Sequence, residues 1–223
     1  MADSALLGYP RGGGRGKRRR PKSLFSKLKP RVEERFHFLG GFLRGPTSVG
    51  ALGPSSAALA EAMIQDFPLA SSDTVVELGP GTGAFTRRIL ERIGRRTTFI
   101  ALELDPIFVS RLRRRFPTLS VYNDSAEQMP SYLARHGKKK VDYIISGLPW
   151  ASLSLKVQDN VLKAVLDVLA PGGVFTTFGY LHARWMPNAQ RFRGRLRRHF
   201  SAVETSAIVW KNFPPAFVYR CKR

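Results

Sequence analysis

Strand–helix alternation beginning after Pro68 is the feature that most narrows what this chain can fold into. Thr74–Leu78, Thr97–Leu102, Leu119–Tyr122, Val141–Ile145 and Gly173–Phe178 are short β-rich runs that read as strands. Phe85–Ile93, Ile107–Phe116, Glu127–Arg135 and Leu155–Leu169 read as helices between them, the last with Val157, Val161, Val165 and Leu169 on one face. An Arg-rich helical stretch follows over 184–199. Ala202–Trp210 and Ala216–Cys221 then close the series as two strands with no helix between them. Strands joined through helices lie parallel, with the crossovers covering both faces. The closing pair makes one strand of the seven antiparallel, near an edge. The expectation is an α/β fold, a seven-stranded mostly parallel sheet with helices on both faces.

The 223 residues set a prior of one main domain. Three regions are expected. Residues 1–22 form a Gly/Arg/Lys-rich arm with too few apolar residues to offset its ordering entropy, so it is expected to be disordered. It reads equally as a solvated tail or as a polyanion-binding arm. Residues 23–66 hold two helices. Phe25, Leu28, Val32, Phe36, Leu39 and Leu43 follow a helical stripe flanked by Lys and Arg, and Pro54-Ser55-Ser56 opens a second helix through Leu59, Met63 and Ile64. Residues 67–223 carry the alternating pattern. A single cysteine, Cys221, excludes a disulfide scaffold or a cysteine-built zinc site, and four scattered histidines give no metal cluster. No apolar run is long enough for a membrane span, and the N-terminus has no signal core, so a cytoplasmic protein is expected. With 37 Lys and Arg against 16 Asp and Glu, the net charge of +21 favours polyanions, either nucleic acid or an anionic lipid surface.

The chemistry-bearing residues sit at the expected carboxyl ends of strands. Glu77-Leu78-Gly79-Pro80-Gly81-Thr82-Gly83 is a glycine loop at the first strand–helix turn, where this kind of sheet binds nucleosides. Its G-x-G-x-G spacing departs from the dinucleotide fingerprint. Glu77 suits a ligand with a positive group better than a pyrophosphate, and no Walker lysine follows. Twenty residues past Gly83, Glu103 ends the second strand, where a carboxylate can accept both ribose hydroxyls. Asp105 competes for that role, or caps the helix opening at Pro106. Asn123-Asp124-Ser125 at the third strand end places Asp124 near an adenine edge, or as a helix cap. The fourth strand ends in Ser146-Gly147-Leu148-Pro149-Trp150, a loop with backbone carbonyls and an indole face.

Together these motifs resemble class I S-adenosylmethionine (SAM) methyltransferases, over roughly residues 54–223. Phe42-Leu43-Arg44, Val49-Gly50-Ala51 with Pro54-Ser55-Ser56, Glu77–Gly83, Ser146–Pro149 and Val209-Trp210-Lys211-Asn212-Phe213-Pro214-Pro215-Ala216 are similar to the soluble bacterial phospholipid N-methyltransferases. Those enzymes methylate phosphatidylethanolamine toward phosphatidylcholine. The resemblance implies a Rossmann-like fold, SAM as cofactor, and a peripheral enzyme on the inner face of the membrane that adds one to three methyls. No obligate protein partner is evident. It implies cofactor contacts from Glu77, Gly79, Gly81, Gly83, Glu103, Asp124, Ser125 and Ser146, and catalytic positions at Ser146, Trp150 and Tyr180. The basic arm and Leu181–Phe200 depart from that pattern.

Methyl transfer to an amine mainly requires positioning and loss of the ammonium proton, which desolvation assists. Tyr180, ending the fifth strand, is placed to orient the amine or accept its proton, and His182 is a second candidate. Trp150 and Tyr180 form part of an aromatic wall for a quaternary product, unless Trp150 is a core plug. Two segments are candidates for membrane docking: the stripe Phe25–Leu43, and Arg184–Phe200, whose Trp185, Ala189, Phe192, Leu196 and Phe200 share a face among arginines. Either stripe could instead pack on the sheet. The rival reading is an rRNA adenine-N6 methyltransferase. The strand-four loop also resembles that of such enzymes, but the chain is not expected to hold their additional helical domain after its last strand.

Overall fold

A computed structural model describes residues 55–223. The arm at 1–22, the stripe Phe25–Leu43 and the motifs at 42–44 and 49–51 lie outside the described residues. The first described helix, α1 (Ala57–Ile64), is capped by Ser56, whose Oγ accepts from Leu59 N. Then follow β1 (Thr74–Leu78), α2 (Ala84–Leu90), β2 (Thr98–Glu103), α3 (Pro106–Arg115), β3 (Ser120–Asn123), α4 (Met129–Arg135), β4 (Val141–Ser146), α5 (Leu155–Val168), β5 (Leu169–Tyr180), α6 (Pro187–His199), β6 (Ala202–Thr205) and β7 (Ala216–Lys222).

The seven strands form one sheet in the order β3-β2-β1-β4-β5-β7-β6. All neighbours from β3 to β5 pair parallel, and β7 runs antiparallel to both β5 and β6. The chain winds outward from β1 to β3, then returns to place β4 on the other side of β1. That reversal leaves a crevice above the carboxyl ends of β1 and β4, where ligands bind in such sheets.

Alternation along each strand feeds two cores. Val76, Leu78, Ile100, Leu102 and Ile144 face one way, into a cluster with residues of α4, α5 and α6. Val75, Phe99, Ala101 and Ile145 face the other way, among residues of α1, α2 and α3. Leu59, Ala60, Met63 and Ile64 of α1 are fully buried in this second core. No helix of the described residues is long and apolar enough to cross a membrane.

Several boundaries differ from the sequence reading, and three have a clear local cause. Leu169 belongs to β5 and not to the preceding helix, because Pro171 lies two residues on and Leu169 is already extended, pairing with Val141. The strand expected over Ala202–Trp210 is regular only to Thr205. There Ser206 Oγ accepts the Val218 N–H and diverts the ladder, which resumes as a single bridge between Val209 and Ala216. Helix α6 begins only at Pro187, after a 3-10 turn at Leu181–Ala183.

Candidate active site

The first wall of the site is the loop between β1 and α2. Gly79, Gly81 and Gly83 all adopt positive φ, which an L side chain would strain. Space is equally restrictive at Gly147 in the strand-four loop, where a Cβ would come within 2.5 Å of the Gly79 carbonyl oxygen. Gly147 N also donates to Leu78 O at 2.8 Å, so the loops after β1 and β4 pack backbone to backbone. Glu103 closes this wall. It is 2% exposed, with Oε2 accepting from Gly81 N and Oε1 from Asp105 N, both at 2.9 Å. Burial holds its carboxyl above the usual range, and those two backbone donors offset part of the rise. Asp105 caps α3 by accepting from Ile107 N at 2.8 Å.

The opposite wall comes from the ends of β5 and β7 and from α6. Tyr180 and Ala216 pair across the antiparallel ladder, bringing the segments 178–184 and 213–217 together. Phe178, Tyr180, His182, Arg184, Phe217 and Tyr219 line this side, with Met186, Phe192, Phe213 and Pro214. Tyr180 stacks on His182 with ring centroids 5.7 Å apart and meets Phe178 edge-on. Burial raises the Tyr180 phenol above the usual tyrosine range, so it stays protonated at neutral pH. Between the walls lies one cleft of about 710 Å3, a size suited to a small organic ligand.

The structure brings Gly79, Gly81, Glu103, Trp150 and Tyr180 to the lining of this cleft. Glu77, Gly83, Asp124, Ser125 and Ser146 are not in the lining. Glu77 is buried behind the loop, where Oε2 accepts from Thr86 Oγ1 at 2.7 Å and braces α2. Its Oε1 has no hydrogen-bond partner among the described residues, and burial pushes its carboxyl up to about 8. Gly83 starts α2, where a Cβ would meet Leu112 and Phe116 at 2.9 Å. Asp124 accepts from Ser125 N and from the Tyr132 hydroxyl, while Ser125 caps the 3-10 turn at Ala126–Gln128. Ser146 is fully buried, and its Oγ accepts from Trp150 Nε1 at 3.1 Å, fixing the indole.

Trp150 is both lining and core. It stacks on Phe192 at 4.5 Å and meets Phe175 edge-on, so one ring face is taken by α6. The stripe expected over Arg184–Phe200 is therefore divided. Phe192, Leu196 and Phe200 are buried against the sheet and the strand-four loop, with Phe200 stacked on Phe175. Arg195 ties α6 to α5 through Gln158 Oε1 and Asp159 Oδ1, both at 3.1 Å. Gln158 in turn donates to the carbonyls of Trp150 and Leu153. Packing against Trp150 and Phe175 accounts for Phe192, Leu196 and Phe200, while Trp185 of the same stripe stays exposed. Sequence reading missed Phe178, Arg184, Met186, Phe213 and Phe217 as cleft residues. Only their nearness to Tyr180 and to the Asn212–Pro215 motif signalled them.

Solved structures share this fold. Spermidine synthase from Thermotoga maritima superposes with a TM-score of 0.55 at 15% identity, covering 75% of this chain and 60% of that one. An O-methyltransferase family protein from Burkholderia thailandensis gives 0.56 at 13%, covering 73% and 55%. A profile described as a methyltransferase domain matches residues 75–173. The fold is thus Rossmann-like, of the class I SAM-dependent methyltransferase kind, and SAM is its cofactor. Glu103 and the glycine loop suit a ligand carrying ribose hydroxyls.

At sequence level, ornithine lipid N-methyltransferase of Singulisphaera acidiphila is 34% identical over 194 residues, which cover 86% of this chain and 97% of that protein. The chain belongs to the family of SAM-dependent methyltransferases that contains this enzyme. Ribosomal RNA small subunit methyltransferase A of Acidobacterium capsulatum is 41% identical over 81 residues, only 34% of this chain and 27% of that enzyme.

Proposed function

We propose that this protein methylates the free amine of a membrane lipid headgroup, taking phosphatidylethanolamine toward phosphatidylcholine. Similarity running nearly end to end along a lipid N-methyltransferase carries this reading. The rRNA enzymes match only in part, so the RNA reading ranks second. Ornithine lipid, the acceptor in the relative's name, is the second lipid to test.

SAM supplies an activated methyl on a sulfonium, with a good leaving group. Held by the Gly79–Gly81 backbone and Glu103, it would supply that methyl to the lone pair of a neutral amine. This chain's residues position the partners. The Gly79–Gly81 backbone and Glu103 hold the nucleoside, and Glu77 braces α2 behind the loop through Thr86. Gly83, Asp124, Ser125 and Ser146 act indirectly, by shaping the strand ends. Tyr180 stays a phenol, so its oxygen orients the neutral amine by accepting an N–H, and the ammonium proton leaves to water beforehand. The apolar cleft favours the neutral amine. As methyls accumulate, the aromatic faces of Tyr180 and Phe217 in the cleft lining stabilise the cation by about 0.5–2 kcal/mol each. The protein works from the cytoplasmic face of an anionic membrane.

The test offers labelled SAM and the purified chain three acceptors: phosphatidylethanolamine vesicles, ornithine lipid vesicles and ribosomal RNA. Label in phosphatidylethanolamine supports the proposal in full, and label in ornithine lipid alone corrects the headgroup. Label confined to RNA refutes it.

A further inference from the structure

Six large apolar side chains stand exposed among the described residues, and four of them lie on two neighbouring segments. Trp185 (75%) and Met186 (53%) precede α6, and Trp210 (69%) and Phe213 (79%) stand in the loop before β7. Both segments feed the cleft, because Arg184 and Met186 line it from one and Phe213 and Pro214 from the other.

These segments are held out by structure. Leu181 N donates to Pro215 O at 2.8 Å, tying the first to the second. Asn212 is buried between Trp210 and Phe213, its Oδ1 accepting from Ser56 N and its Nδ2 donating to Pro214 O. With Asn212 anchored inward, its apolar neighbours stay in solvent. The Arg184 guanidinium lies 5.7 Å from the Trp185 ring and 5.5 Å from Phe217, so positive charge sits among the rings. From Val168 to Arg223 the sequence holds ten lysines and arginines against one acid, Glu204.

We infer that this rim is the membrane-docking surface: Trp185, Met186, Trp210 and Phe213 enter the interface of an anionic bilayer and set the cleft mouth against the headgroups. Indole rings are favoured at the headgroup level, where an apolar body and a polar N–H are both satisfied. The surrounding cations add attraction to anionic lipid that salt weakens. The charge excludes an acid-poor or neutral partner as the best fit and favours a negative surface. This inference deepens the lipid reading and rests on it for the function of the docked state.

The experiment follows tryptophan emission of the full chain on phosphatidylglycerol vesicles, plain or carrying bromine on their acyl chains. Trp185→Phe and Trp210→Phe, singly and together, assign the signals, and buried Trp150 is the internal control. The expected result is a blue shift and bromine quenching of Trp185 and Trp210, with Trp150 unchanged. Trp185→Ser with Trp210→Ser should weaken vesicle binding in high salt by about tenfold or more, since apolar burial is what persists there. SAM affinity should not change. If vesicles bind without quenching either indole, the contact lies elsewhere, such as the basic arm at 1–22, and the inference falls. It also falls if neither indole responds because residues 23–54 or a protein cover the rim. Methylation of lipid in detergent micelles is read separately. Quenching without lipid methylation leaves the docking surface intact and removes the proposed function, and the reverse removes only the docking surface.

Discussion

Glu103→Gln removes one charge while keeping size and shape. An ionised carboxylate offers about four acceptor sites. Two are used by Gly81 N and Asp105 N, which leaves two for a pair of ribose hydroxyls. Glutamine keeps one carbonyl oxygen, so at most one hydroxyl is accepted, and its amide end meets a backbone N–H. A hydrogen bond to a charged acceptor contributes about 1.5–3 kcal/mol. Losing one weakens SAM binding by about ten- to a hundredfold. Stability should move far less. The unsatisfied N–H costs about 1–3 kcal/mol, and removing a desolvated carboxylate offsets it. Titration calorimetry reads the affinity and thermal unfolding reads the fold. The wild-type affinity should also fall on acidification, because Glu103 protonates above the usual glutamate range and loses acceptor sites, while Glu103→Gln lacks that dependence. A folded Glu103→Gln that binds SAM like the wild type would refute the reasoning.

Glu77 has its carboxyl raised to about 8, so the unliganded fold gains from its protonation. That stability is fully present below the unfolded value of 4.5 and is lost as pH rises through about 8. Urea unfolding of Glu77→Gln at several pH values should show a flatter profile over that window; an unchanged profile contradicts the assignment. Ser146→Ala leaves the Trp150 indole N–H unsatisfied in the core and should lower stability by about 1–3 kcal/mol, measured by urea unfolding. Gly147→Ala drives a Cβ against the Gly79 carbonyl, so the two loops must part. SAM affinity should drop while circular dichroism stays that of the wild type.

Much of the fold was legible because it rests on local periodicity. The strands around Val76, Ile100 and Ile144 alternate between two cores, and each needs a helix to reach the next. The glycine loop and Glu103 were legible because positive φ and an acceptor at a strand end have few residue solutions. Long-range choices were not. The stripe Phe192, Leu196, Phe200 reads alike for a membrane and for a sheet, and only the matching surface of Trp150 and Phe175 decides. The rim depends on Asn212 reaching Ser56, 156 positions away, which no spacing announces. At Ser206 a side chain replaced a backbone group in the ladder and ended a strand that composition alone continued.

The central claim is that the cleft joins a SAM site to a lipid amine. The most direct measurement is a mass spectrum of lipid extracted from phosphatidylethanolamine vesicles after incubation with SAM and the full chain, beside Glu103→Gln at limiting SAM. The account predicts headgroups that have exchanged one or more amine hydrogens for methyls, in proportion to enzyme, with a marked drop in the variant. Phosphatidylethanolamine unchanged under conditions where calorimetry shows SAM bound would contradict it.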